Sequence, residues 1–146
     1  MLNSDYKEML LILIKNKVDF MIVGAYALAY FGFPRSTGDI DIFVDATVEN
    51  SQKIHKSLIE FGAPVSGLDL KYFSNKGNFF QIGVAPCRID ILNDIDGLDF
   101  SKTNYDIAII DDIELKIISK NDFIINKKAS GRHKDLADVD CLENNN

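Results

Sequence analysis

Residues 39–44, Asp-Ile-Asp-Ile-Phe-Val, alternate carboxylate and apolar side chains and then run on as apolar residues. A period of two belongs to a β-strand, whose successive side chains point to opposite faces. Ile40 and Ile42 then share one face, while Asp39 and Asp41 share the other, about 6.6 Å apart along the chain. Two carboxylates at about 6 Å repel by roughly 3 kcal/mol at an effective dielectric near 20, so an apolar neighbourhood holds them only where something answers the charge. An isolated Asp-x-Asp could also lie on an open sheet face and meet water.

The rest of the chain supplies elements around this strand. After Ser4, read as an N-cap, Tyr6, Met9, Leu10, Leu13 and Ile14 follow helical spacing, with Asp5 in the first turn. Phe20 to Val23 is a short apolar run that ends at Gly24, and the helix formers AYALAYF follow, closed by Gly32. A helix is expected from Asn50 or Ser51 to Phe61, stopped by Gly62. Leu68 to Phe73 and Asn78 to Val84 flank Ser74-Asn75-Lys76-Gly77, which suggests a hairpin. Arg88 to Leu92 reads as a strand, and Ile107 to Ile110 pairs with Ile113 to Ile118 around Asp111-Asp112. Helices are expected over about 120–129 and 132–142. The order αβαβαβββ followed by helices predicts an α+β domain with a mixed sheet and helices on one side.

At 146 residues the chain is sized for one domain, assigned to residues 1–142 with 143–146 as a polar tail. Cys87 and Cys141 lie outside any Cys-x-x-Cys or Cys/His cluster, so neither a zinc site nor a disulfide framework is indicated and a reducing cytoplasm is the inference. The apolar run Met9 to Ile14 is too short for a membrane span. The net charge is −6, yet residues 115–134 hold Lys116, Lys120, Lys127, Lys128, Arg132 and Lys134 against Asp122 alone. A solvated helix face accounts for such a cluster, and so does an anion site beside a cation-dependent acidic one.

Asp90, between apolar neighbours on its own expected strand, would bring a third carboxylate to the acidic face if the two strands are adjacent. Such a trio suits metal-assisted phosphoryl transfer, with the third acid as ligand or as general base. Gly24 allows a tight strand-to-helix turn whose N–H groups suit a phosphate, and Arg35 offers a forked cation. His55 and His133 are expected to be exposed or partnered rather than catalytic.

The run VGAYALAYFGFPRSTGDIDIFV, residues 23–44, resembles the signature of the DNA polymerase β-like nucleotidyltransferase superfamily: a hydrophobic residue, Gly, a small residue, a spacer, then Asp-hydrophobic-Asp-hydrophobic. Arg35, Thr37, Asp39 and Asp41 form an Arg-x-Thr-x-Asp-x-Asp pattern similar to the small bacterial branch that includes AbiEii-type toxins and lincosamide or aminoglycoside nucleotidyltransferases. NKKASGRHKDLADVDCL, residues 126–142, resembles the basic and acidic motif near the C-terminus of that branch.

The resemblance implies a nucleotidyltransferase fold and transfer of a nucleoside monophosphate from an NTP such as ATP to a hydroxyl acceptor, with Mg2+, or alternatively Mn2+, and release of pyrophosphate. Carried over, Asp39, Asp41 and Asp90 are the metal-binding and catalytic acids. Gly24 and Ala25 form the phosphate turn, with Arg35 and Thr37 beside it. Lys128 or Lys127, Arg132 and Lys134 approach the triphosphate, supported by Asp135 and Asp138. The acceptor is an antibiotic, a tRNA end or a protein side chain, and an antitoxin is a further implied partner. Ala25 stands where the family has Gly or Ser, so weaker triphosphate binding is expected. That departure also motivates a second reading, a noncatalytic nucleotide-binding or toxin–antitoxin interaction module.

Overall fold

The computed structural model describes residues 2–144. Helix α1, Ser4–Lys15, buries Tyr6, Met9, Leu10 and Leu13 along one stripe. Its cap is Asn3 rather than Ser4: the Asn3 side chain accepts a hydrogen bond from the Tyr6 N–H at 2.8 Å, and Ser4 is already helical. Strand β1, Phe20–Val23, helix α2, Gly24–Tyr30, strand β2, Asp39–Val44, and helix α3, Val48–Phe61, come next. Thr47 caps α3, so the helix begins ahead of Asn50. Asn50 instead clamps the β1 and β2 ends: it accepts from the Asp19 N–H at 2.8 Å and donates to the Asp19 and Asp45 carbonyls.

Strands β3, Phe79–Ile82, β4, Arg88–Leu92, β5, Tyr105–Ile110, and β6, Ile113–Ile118, precede helices α4, Lys120–Ser130, and α5, His133–Asn144. The expected polar tail therefore starts inside α5, while Asn145 and Asn146 lie outside the described residues. The chain follows αβαβα with four strands and two helices, and of the strand segments expected after α3 the one over Leu68 to Phe73 is absent.

The hairpin expected across residues 68–84 does not form. Residues 72–74 make a 3-10 turn that drives Phe73 into the core. Side chains distant in sequence take the backbone groups a strand would need. Ser51 donates to the Leu70 carbonyl at 2.7 Å and accepts from the Phe73 N–H at 3.0 Å. Asn93 donates to the carbonyls of Phe73 and Asn75 and accepts from Gly77 N–H. With those groups satisfied, β3 pairs antiparallel with β4 instead.

The six strands lie in the order β3-β4-β2-β1-β6-β5. β2 runs antiparallel to β1 and parallel to β4, and β1 runs parallel to β6. Ile40, Ile42, Ile89 and Ile91 enter one core with Met9 and Leu10 of α1 and Ile54 and Leu58 of α3. Each such side chain contributes about 1.5–3 kcal/mol relative to exposure. Burial of the isoleucines fixes the register, because a slip of one residue would turn the aspartates of β2 into this core.

Candidate active site

Register alone brings the acids together. Asp41 pairs with Asp90 and Asp39 with Arg88 across the parallel β2 and β4 strands, and neighbouring strands lie about 4.8 Å apart. As a result, one carboxylate oxygen each from Asp39, Asp41 and Asp90 falls within 4.8 Å of the other two. Asp90 is nearly buried, at 5% exposure.

Arg88 answers part of this charge. Its Nη2 donates to Asp39 Oδ2 at 3.0 Å and to Asp90 Oδ2 at 3.1 Å, and its Nε donates to Asp90 Oδ1 at 3.0 Å. The Thr37 hydroxyl donates to Asp39 Oδ1 at 3.0 Å. Burial works against ionising Asp39, yet hydrogen bonds from Asp90, Thr37 and Arg88 prevail and hold its pKa below the ordinary value. Burial pushes Asp90 upward despite the Arg88 fork, and the nearby Asp39 adds to the rise. Asp41 is pushed up to about 7, first by burial and then by the Asp39 and Asp90 charges, with Lys127 and Lys134 pulling the other way.

Gly24 fits against this cluster. Antiparallel pairing sets Val23 opposite Asp41, so the next residue turns directly beside the Asp41 carboxylate. Gly24 adopts φ +70°, and a Cβ there would lie 2.1 Å from Asp41 Oδ2. Glycine is thus demanded twice, by its backbone and by its neighbour. No side chain caps the first turn of α2.

A cavity of about 480 Å3 opens over the three acids and is also lined by Gly24, Ala25, Arg35, Thr37, Lys127, Arg132 and Lys134. Lys127, Arg132 and Lys134 come from the α4–α5 corner, where Gly131 turns the chain at φ +67°. Fully buried Asp135 organises that corner. It accepts from Arg132 Nε at 2.7 Å and from the Ser130 hydroxyl at 2.7 Å, and Lys127 Nζ lies 3.5 Å away. Burial opposes its charge, but Arg132, Ser130 and Lys127 overcome this and draw its pKa down to about 2.

Two of the basic candidates have other partners. Lys128 pairs with Glu143 at 3.0 Å and does not line the cavity, whereas its neighbour Lys127 does. Arg35 lines it but donates to Asp138 Oδ1 at 2.5 Å. The other Asp138 oxygen is buried with no hydrogen-bond partner among the described residues. From the sequence, Arg88 stands only at the start of an expected strand. The signal was present, since residues 88 and 90 share a strand face, but the reach to Asp39 depends on strand pairing.

The donor set fits a hard divalent cation. Three carboxylates converge, Asp41 resists ionisation because it is buried beside the Asp39 and Asp90 charges, and oxygen ligands of this kind suit Mg2+ or Mn2+. Asp39, Asp41 and Asp90 would hold it.

No family model matches the sequence, and no curated protein matches it at a significant level. Solved structures do. A Thermotoga maritima protein provisionally described as a nucleotidyltransferase superposes with a TM-score of 0.63 at 17% identity, covering 100% of this chain and 97% of that one. The lincosamide antibiotic adenylyltransferase LnuA, in its lincomycin-bound form, gives a TM-score of 0.61 at 16% identity, over 98% of this chain and 97% of its own. The chain has the fold of these nucleotidyltransferases, an α+β arrangement around a mixed sheet. Among the described residues, no helix is long and apolar enough to cross a membrane.

Proposed function

We propose that the chain transfers a nucleoside monophosphate from an NTP to a hydroxyl acceptor and releases pyrophosphate. The observation that carries this reading is the convergence of Asp39, Asp41 and Asp90 in a cavity shared with Lys127, Arg132 and Lys134. Acids alone would repel a triphosphate, and bases alone would bind one without a place for a cation. Their combination suits phosphoryl transfer, in which positioning and electrostatic stabilisation supply most of the catalysis.

A divalent cation held by Asp39, Asp41 and Asp90 would supply positive charge to the phosphate oxygens and lower the pKa of the acceptor hydroxyl. Lys127, Arg132 and Lys134 bind the β- and γ-phosphates and stabilise the charge that grows on the leaving pyrophosphate. Asp135 keeps Arg132 and Lys127 aimed. The acceptor oxygen bonds to the α-phosphorus as the α–β bridging bond breaks. Asp90, which with Asp39 and Asp41 would hold the cation through one oxygen, accepts the hydroxyl proton on its other oxygen. Gly24 leaves room for the Asp41 carboxylate, which a side chain there would displace. A small molecule is the acceptor class favoured, because LnuA, similar over nearly its whole length, is an antibiotic adenylyltransferase.

The test is incubation with Mg2+ and labelled NTPs against small-molecule, tRNA and protein acceptors. Label should appear on an acceptor. A chain that only binds nucleotide would return it intact after long incubation.

A further inference from the structure

Arg88 occupies the space between two of the acids on which a cation would converge. Its guanidinium spans Asp39 and Asp90 through three hydrogen bonds of 3.0–3.1 Å. Mg2+ needs carboxylate oxygens at about 2.0–2.1 Å, so an ion and this fork cannot use the same lone pairs together. The Arg88 side chain is nonetheless 37% exposed on the cavity wall. Its backbone is fixed independently, by the β2 pairing and by the Tyr6 hydroxyl donating to its carbonyl at 3.0 Å. The side chain can leave the acids without the strand moving.

A guanidinium that leaves them stays over the same cavity, beside Lys127, Arg132 and Lys134. Planar donor forks match phosphate as well as carboxylate. We propose that Arg88 is an exchangeable internal cation: it bridges Asp39 and Asp90 in the metal-free protein, yields their oxygens to the entering divalent ion, and turns its fork to the phosphates of the nucleotide. This rests on the reading of the three acids as the cation site of a nucleotidyl transferase. It makes Arg88 a competitor of the metal and a helper of the triphosphate, two effects of opposite sign. A merely structural arginine would produce neither pairing.

The experiment is calorimetric titration of wild type, R88M and R88K with Mn2+ alone, then with inorganic triphosphate on the Mn2+-saturated proteins. R88M should bind Mn2+ roughly tenfold to a hundredfold more tightly, the worth of a charge-assisted fork, and should bind triphosphate more weakly. R88K, which keeps the charge without the fork, should fall between on both counts and carries the test if R88M melts below the assay temperature. Mn2+ affinity unchanged or weakened in R88M, or triphosphate affinity undiminished, would overturn the proposal while leaving the cation site standing. Failure of all three proteins to bind Mn2+ would overturn the cation site itself.

Discussion

Gly24 and Asp41 are fitted to one another: the carboxylate of β2 fills the space that any side chain at the start of α2 would need, with Oδ2 2.1 Å from an added Cβ. Gly24→Ala should therefore act on the site more than on the fold. The left-handed backbone at φ +70° costs an alanine about 1–2 kcal/mol. Mn2+ affinity should fall by about tenfold or more as Asp41 is displaced, a loss on the order of the 1.4 kcal/mol that separates decades of affinity. Denaturant melts and Mn2+ titration measure the two effects separately. Stability lost with Mn2+ binding intact would contradict the fit.

Asp41 gives the metal-free protein a pH dependence of definite sign. Its folded pKa of about 7 lies above the unfolded value of about 3.9. The corresponding stability is fully present below about pH 4 and is lost as the pH rises through 7. Without divalent ions, Tm should drop by a few degrees across the neutral range, and Mg2+ should restore it. Asp41→Asn should flatten the profile and remove the Mg2+ response. A profile unchanged by Asp41→Asn would count against this account of the site.

Asp135 carries the opposite sign. Its folded pKa of about 2 lies below the unfolded value, so its stabilisation is present above about pH 4 and is lost as the pH falls through 2. Asp135→Asn should cost about 2 kcal/mol through weakened charged hydrogen bonds. It should also release Arg132 and Lys127 and weaken triphosphate binding. Chemical melts at pH 7 and pH 3 check the first effect, since the difference between variant and wild type should shrink in acid.

Arg35 separates a phosphate ligand from a structural partner. Asp138 is only 6% exposed at its side chain and already has one unsatisfied oxygen. Arg35→Ala should cost about 3 kcal/mol by leaving that charge buried and unpaired. Asp138→Asn in the same chain should recover part of the loss. Full stability in Arg35→Ala would show that the ion pair carries little.

The acidic face was legible in the sequence because period two is a local property: Ile40 and Ile42 had to be buried, so Asp39 and Asp41 had to face away. Gly24 was legible for the same reason, as the residue that ends a buried strand. Partners that depend on long-range pairing were not. Arg35 meets Asp138 across 103 positions, and Arg88 reaches Asp39 only because β4 lies in register beside β2. The segment from Leu68 to Phe73 has strand-like composition, yet Ser51 and Asn93 decide its course. Side chains that take up backbone groups from a distance leave no periodicity to read.

The most direct test of the account is pyrophosphate release from each NTP with Mg2+ and a panel of hydroxyl-bearing small molecules, comparing wild type with Asp41→Ala. The account predicts release coupled to acceptor labelling, lowered by about two powers of ten or more in the variant. No pyrophosphate from wild type under any combination, or release by Asp41→Ala at the wild-type rate, would contradict it.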